Sequence, residues 1–308
     1  MRSLGGTRVL IRRGLAWILA LVSIAASAQP GTHSANNADK ASEIVAGKPW
    51  MGSTEEYARL QPAVVAQIDA SADEVLRSLR NDSAWHPDHP KWAATRERVR
   101  ADMRNAWAEA GRAVLGGVEP ARYQEHLVTL YLAAFDAQEL DALLEFYRSP
   151  HGARFTKHLG DLAAATRDGE LAAMDLAAGG PPRWEGQDPA RMRLRVQTLL
   201  LLEPMQGMAN VARDAEDPPL ASAMSAALLT IVAVSGERIE TLRAELDDAS
   251  RAAFDAFDRT PVRKKERALL VAESERIYRA SREWSSALPA FLKKLEAQQA
   301  AWKKLAAD

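Results

Sequence analysis

Two imidazoles and a carboxylate fall within four residues at His86-Pro87-Asp88-His89, a set of ligand types suited to zinc or another divalent ion. A structural zinc takes four ligands, and no distant cysteine or His-x-x-x-His element completes this set. The stretch therefore reads first as a rigid, proline-flanked loop, and neither a metal nor another cofactor is expected. His151 and His158 lie two turns apart on one predicted helix, and His126 lies on an earlier one. Together they would form a pH-responsive cluster, because histidine titrates near about pH 6.5; separately they are ordinary helical residues. The pairs Asp136/Glu139, Asp141/Glu145 and Glu273/Glu275 invite acid–base chemistry of the kind that cleaves glycosides. Asp136 and Glu139 fit a helix cap better, and the other two pairs read as solvated faces. Gly-x-Ser-x-Gly, His-Glu-x-x-His, a P-loop and a dinucleotide fingerprint are all missing, so no catalytic residue is assigned.

Composition narrows the chemistry further. The 308 residues include no cysteine, which removes disulfides, thiol catalysis and thiolate metal sites together. Arg2, Arg8, Arg12 and Arg13 precede an uncharged apolar run from Gly14 to Ala25, and Ala26-Ser27-Ala28 is a small-x-small cleavage site. Residues 1–28 are thus predicted to be a secretory signal peptide cut after Ala28, with a periplasmic mature chain. Removing them takes four arginines and no acid, leaving 36 Lys+Arg against 41 Asp+Glu, a net charge of −5. That mildly acidic balance argues against nucleic acid as a partner.

The elements that must position any site are helical throughout. Residues 29–52 are small and polar without a sustained period, and read as a flexible leader. Ser53-x-x-Glu56 is a capping-box pattern opening the folded body, with a new helix from Pro62 to about Arg80 and a loop over 81–90. Trp92, Val99, Met103, Trp107, Val114 and Leu115 recur at helical spacing, predicting one helix over 91–115 ended by Gly116-Gly117. Pro120 opens the next, with Tyr123, Leu127, Leu130, Tyr131 and Ala134 on one face. Asp136 and Glu139 cap a third, whose buried stripe is Leu140, Leu143, Leu144 and Tyr147. Ser149 and Pro150 then stand as N-cap and first residue of a fourth, running toward Ala177. Gly152 in its first turn disfavours helix by about 1 kcal/mol relative to alanine, which points to close approach of a neighbouring helix.

The run 179–189, Gly-Gly-Pro-Pro-Arg-Trp-Glu-Gly-Gln-Asp-Pro, is dense in helix breakers and reads as a linker between residues 53–178 and a second helical unit, 190–308. Helices are predicted over 189–213, 219–246, 247–257, 261–283 and 286–306. Residues 218–236 carry no charge, which raises a membrane span; the close flanking charges Asp217, Glu237 and Arg238 favour a central helix buried on all sides. Arg263-Lys264-Lys265-Glu266-Arg267 reads as a solvated basic face. The fold class is all-α, about ten helices in two packed units. Leu246 to Pro261 lies without gaps over Phe135 to Pro150, sharing a Phe-x-Arg-[Ser/Thr]-Pro ending. That echo fits a degenerate duplication, and equally a coincidence between two helix–Pro–helix junctions.

The pattern Glu139-Leu140-x-x-Leu143-x-x-Phe146-Tyr147-x-Ser149-Pro150-x-Gly152 resembles the domain of unknown function 2059, a family of exported bacterial helical proteins, over roughly residues 119–175. The resemblance implies a helical fold and supplies no catalytic residue. Its signature residues Glu139, Leu143, Phe146, Tyr147, Ser149, Pro150 and Gly152 are those read above as cap and packing positions. The expected function is that of a non-enzymatic envelope protein offering a helical face to a protein or wall partner, without a stable membrane span after cleavage. The alternatives are an envelope hydrolase lacking a recognisable motif and a binder of small apolar ligands.

Overall fold

Asp136 opens the best-defined junction of the molecule. In this computed structural model its carboxylate accepts from Glu139 N at 2.8 Å while Glu139 Oε2 accepts from Asp136 N at 3.0 Å, the reciprocal cap that the sequence predicts. The structure describes residues 35–48, 51, most of 69–80, 90–119, 122–177, 180–216 and 218–307; the expected signal peptide, the expected Ser53 cap and the expected helix start at Pro62 lie outside them.

Every described element is a helix: α1 (Ala35–Ala46), α2 (Trp92–Val114), α3 (Tyr123–Ala134), α4 (Ala137–Arg148), α5 (Pro150–Ala177), α6 (Pro189–Leu199), α7 (Glu203–Arg213), α8 (Pro218–Val234), α9 (Gly236–Ala244), α10 (Asp248–Asp258) and α11 (Pro261–Ala307). Gly116 and Gly117, at φ 61° and 90°, turn the chain out of α2 in a conformation that glycine adopts without steric cost. Ser149 Oγ accepts from Gly152 N at 3.0 Å, so Ser149-Pro150 is the helix start read from the sequence.

Four expectations are corrected. The flexible leader of 29–52 is ordered over 35–48: α1 packs on α3 and α4, and Ala41, Ile44 and Val45 are buried in the core. One alanine and two β-branched residues at helical spacing suffice there, because an amphipathic stripe needs only enough apolar contact to dock. The helix expected over 189–213 breaks at Leu200–Leu202, since Pro204 cannot donate to the preceding turn. Its neighbour breaks at Ser235, between α8 and α9, which bend by 64°. Conversely, α11 is continuous through 283–286, where two helices were expected; at 47 residues it spans about 70 Å.

Of the expected linker 179–189, residues 180–188 are irregular and Pro189 already belongs to α6, and the run does not separate two cores. α5, before it, packs on α8, α9 and α10, after it. One hydrophobic cluster extends from Ala41 in α1 to Ile277 in α11. Leu140, Leu143 and Leu144 lie inside it, each contributing about 1.5–3 kcal/mol of transfer free energy. No single helix among the described residues is long and apolar enough to cross a membrane, although α8 and α9 satisfy length and composition as a bent pair. α8 is not buried on all sides: Thr230, Ile231 and Val232 face α5, α6 and α7, while Ser222, Ala223, Ser225 and Val234 are exposed.

The two echoed junctions meet. Asp247 caps α10 by accepting from Ser250 N at 2.6 Å, as Asp136 caps α4. The corresponding phenylalanines, Phe146 at the end of α4 and Phe257 at the end of α10, stack face to face with centroids 3.5 Å apart and planes 7° from parallel. Phe155 and Tyr147 close on Phe257 edge-on. The signature and its echo therefore form one aromatic contact at the centre of the fold.

Candidate functional site

Charged side chains converge beside that aromatic contact. Proline at 261 starts α11, and an i, i+3 spacing turns Arg263 and Glu266 to the same inward face. Both are fully buried, as are Glu203 at the start of α7 and Lys48 just past α1. Glu266 accepts from Tyr131 at 2.7 Å, from Tyr147 at 2.6 Å and from Arg263 at 2.9 Å, and pairs with Lys48 at 3.0 Å. Lys48 also donates to the Tyr147 hydroxyl at 2.6 Å and sits 4.0 Å above that ring's centroid. Arg263 extends the chain of bonds to Glu203 at 2.7 Å and to Asp258 at 3.2 Å. Arg267 completes it, donating to Asp258 at 3.0 Å, to Gln206 at 2.9 Å and to the Leu200 carbonyl at 3.0 Å.

Three cations thus face three carboxylates. Burial works to raise the Glu266 carboxyl, but Lys48, Arg263 and the two tyrosine hydroxyls overcome it and hold the group at about 2. Burial, reinforced by the Glu266 charge, drives the Tyr131 and Tyr147 hydroxyls well above the ordinary phenol, so both remain donors. Lys48 is pulled below its usual value, chiefly by burial. An isolated buried charge would cost several kcal/mol; this arrangement satisfies each one locally.

A pH dependence follows from Glu266. Its folded pKa lies below the ordinary 4.5, so its contribution to stability is complete above that value and disappears as pH falls through about 2. The difference corresponds to about 3 kcal/mol. Urea unfolding at pH 6, 4 and 2.5 is expected to show a steeper acid loss in the wild type than in Glu266→Gln. Equal slopes would mean that Glu266 titrates normally in the folded chain.

One edge of the cluster opens on a cavity of about 270 Å³ between α5, α6, α10 and α11. Arg263, Arg267 and Asp258 form the wall on the cluster side; Phe155 and Phe254, in edge contact at 4.9 Å, form part of the apolar wall. His158 of α5 also lines the cavity. It is buried, and its Nε2 has no hydrogen-bond partner among the described residues. Burial lowers its pKa below the ordinary 6.5, leaving the ring neutral near pH 7.

Residues 122–177 match the model of the family described as an uncharacterized protein conserved in bacteria, DUF2059. No curated protein and no solved structure matches the chain. The DUF2059 segment contributes Tyr131, Tyr147, Phe155 and His158 to the site, while Lys48, Glu203, Asp258, Arg263 and Glu266 come from outside it.

The signature residues behave as structural parts. Glu139 caps α4 and pairs with Lys265, Leu143 is in the core, Phe146 stacks, and Ser149, Pro150 and Gly152 start α5. Tyr147 has an additional role, as a donor to Glu266. Of the predicted histidine cluster, His126 lies 3.2 Å from Glu273 and His158 faces the cavity, so the two have separate surroundings. His86, Asp88 and His89 lie outside the described residues; among those described, no group of three His, Cys, Asp or Glu side chains could hold a metal ion.

Two solvated faces are corrected. Glu273 is buried against Arg276 at 2.7 Å, whose other amino group caps the end of α2 at the Leu115 carbonyl. The supposed basic face at 263–267 exposes Lys264 and Lys265 but buries Arg263 and Glu266. Asp141, by contrast, is exposed as expected, 2.6 Å from Lys40. One sequence signal marked the cluster: Glu203 is the single charge ending the run Leu199 to Leu202, where an acid needs a buried partner.

Proposed function

We propose that the chain is an exported, non-catalytic envelope protein that acts by binding. The observation that carries this reading is the closure of the interior cluster: Glu266 accepts from a lysine, an arginine and two tyrosines, and is held ionised far below neutrality. A general acid or base working near neutral pH needs a group whose pKa lies close to the operating pH, and Glu266 is the opposite case. The hydrolase alternative would rest on His158. No hydrogen bond orients its Nε2, and the hydroxyl on the same cavity, Thr198, donates to the Leu194 carbonyl at 3.0 Å. A nucleophile–base pair is therefore not assembled there.

Export is supported by the arginine-rich start, the apolar run and the Ala26-Ser27-Ala28 site. The test combines cell fractionation and N-terminal sequencing with in-cell crosslinking of the mature chain. The expected outcome is a periplasmic protein beginning at Gln29 that crosslinks to an envelope component. An uncleaved cytoplasmic chain would overturn the export reading. Turnover of ester, amide or glycoside substrates that disappears in His158→Leu would overturn the non-catalytic one.

A further inference from the structure

The cavity beside the cluster has unspent hydrogen-bonding capacity, chiefly of arginine donors. A guanidinium carries five N–H donors, and Arg263 and Arg267 each use three, on the partners described above. Both line the cavity, so further donor hydrogens remain on each. At the rim, Arg243 of α9 is exposed and makes no ion pair with any described residue. His158 Nε2, inside a 94%-buried side chain, is the unpaired polar atom of the interior wall. Leaving such a group unsatisfied is unfavourable, and a ligand acceptor that reached it would relieve that cost. Against these, both oxygens of Asp258 are engaged by Arg263 and Arg267, and Asp255 stands at the exposed edge.

The rest of the wall is apolar and partly aromatic: Phe155, Phe254, Leu201 and Leu246. A volume near 270 Å³ falls just below the range of about 300–1,000 Å³ typical of ligand pockets, so the occupant is small. The unspent arginine donors call for an acceptor-rich ligand group, and arginine forks suit a planar carboxylate. The two aspartates on the lining disfavour a dianion such as inorganic phosphate.

We infer that this pocket binds a small monocarboxylate with a flat apolar body, its carboxylate meeting Arg243 and the inner donors and its body lying along Phe155 and Phe254. The inference rests on the reading of the chain as a binding protein and names the ligand class.

Titration calorimetry on the mature chain with phenylacetate, phenylacetamide and phenethylammonium tests it. Phenylacetate is expected to bind saturably with one site, and the neutral amide and the amine at least tenfold more weakly. Arg243→Gln, at an exposed and unpaired position, is expected to weaken phenylacetate about tenfold without altering Tm or the weak binding of the amide. His158→Leu is expected to weaken phenylacetate at least fivefold while Tm holds or rises, because an unpaired polar group leaves the interior. Absence of binding, equal affinity for acid, amide and amine, or indifference to Arg243→Gln would overturn the inference and leave the non-catalytic reading standing. Binding with the expected selectivity, accompanied by consumption of phenylacetate in the NMR spectrum, would support the pocket and overturn the non-catalytic reading.

Discussion

Arg263→Met is expected to destabilise the folded chain by about 3–5 kcal/mol, the usual result of breaking a buried ion pair from one side. Arg263 bonds to Glu203, Glu266 and Asp258 at once, so its removal leaves Lys48 and Arg267 against three carboxylates, two of them without solvent contact. Methionine fills a similar volume, and the loss therefore measures uncompensated charge more than a cavity. In a chain of this size a loss of that magnitude lowers Tm by roughly 10 °C or more. Adding Glu203→Leu removes one stranded carboxylate as well as its partner. The double variant is expected to cost less than the sum of the two single ones, by about 1–3 kcal/mol of coupling. Denaturant unfolding of the four proteins reads the cycle directly. Additive losses would mean that the 2.7 Å contact contributes nothing, and that Arg263 acts only through Glu266 and Asp258.

The contrast between what the sequence discloses and what it conceals is sharpest at these same residues. Asp136, Glu139, Ser149 and Pro150 act through bonds to their immediate neighbours in the chain, so their roles are written in spacing alone. The buried stripe Tyr123, Leu127, Tyr131 is likewise a matter of helical period. Arg263 and Glu266 carry the same local pattern as a solvated ion pair, and only distant partners, Lys48 and Glu203, distinguish the two. The order of residues 35–48 is hidden for a related reason: Ala41, Ile44 and Val45 make a stripe too thin to recognise until α3 and α4 are there to receive it. By spacing alone, Tyr131 and Tyr147 belong to the apolar stripe of a packing face. Their hydroxyls, and the unpaired nitrogen of His158, become informative only when tertiary contacts show what each can reach. The run 180–188 is irregular, but irregularity in the chain does not divide a core that long-range packing joins.

Gly152→Ala is the second substitution expected to have a large effect, and its sign has to be decided between two opposing terms. Alanine favours a helix over glycine by about 1 kcal/mol, and Gly152 lies in the first turn of α5, so propensity alone predicts stabilisation. The position is set against the end of α4: an added Cβ would overlap the Phe146 carbonyl oxygen, and would lie 2.6 Å from the Phe146 carbonyl carbon and 2.7 Å from Tyr147 Cα. All three are backbone atoms, so no side chain can turn aside. Relief requires α5 to move away from α4. That movement pulls on Phe146, which stacks on Phe257, and on Tyr147, which donates to Glu266. Overpacking of this kind costs typically about 1–3 kcal/mol even where side chains can adjust. Here the net loss is expected to reach about 3 kcal/mol, with a weakened near-ultraviolet circular dichroism signal from the displaced aromatic contact. Gly117→Ala is the control. Its φ of 90° imposes backbone strain, but nothing lies within 4 Å of the added atom, so the loss there should leave the aromatic signal unchanged. A Gly152→Ala protein with wild-type stability would mean that α4 and α5 separate freely, and would remove the steric reason for glycine at that position.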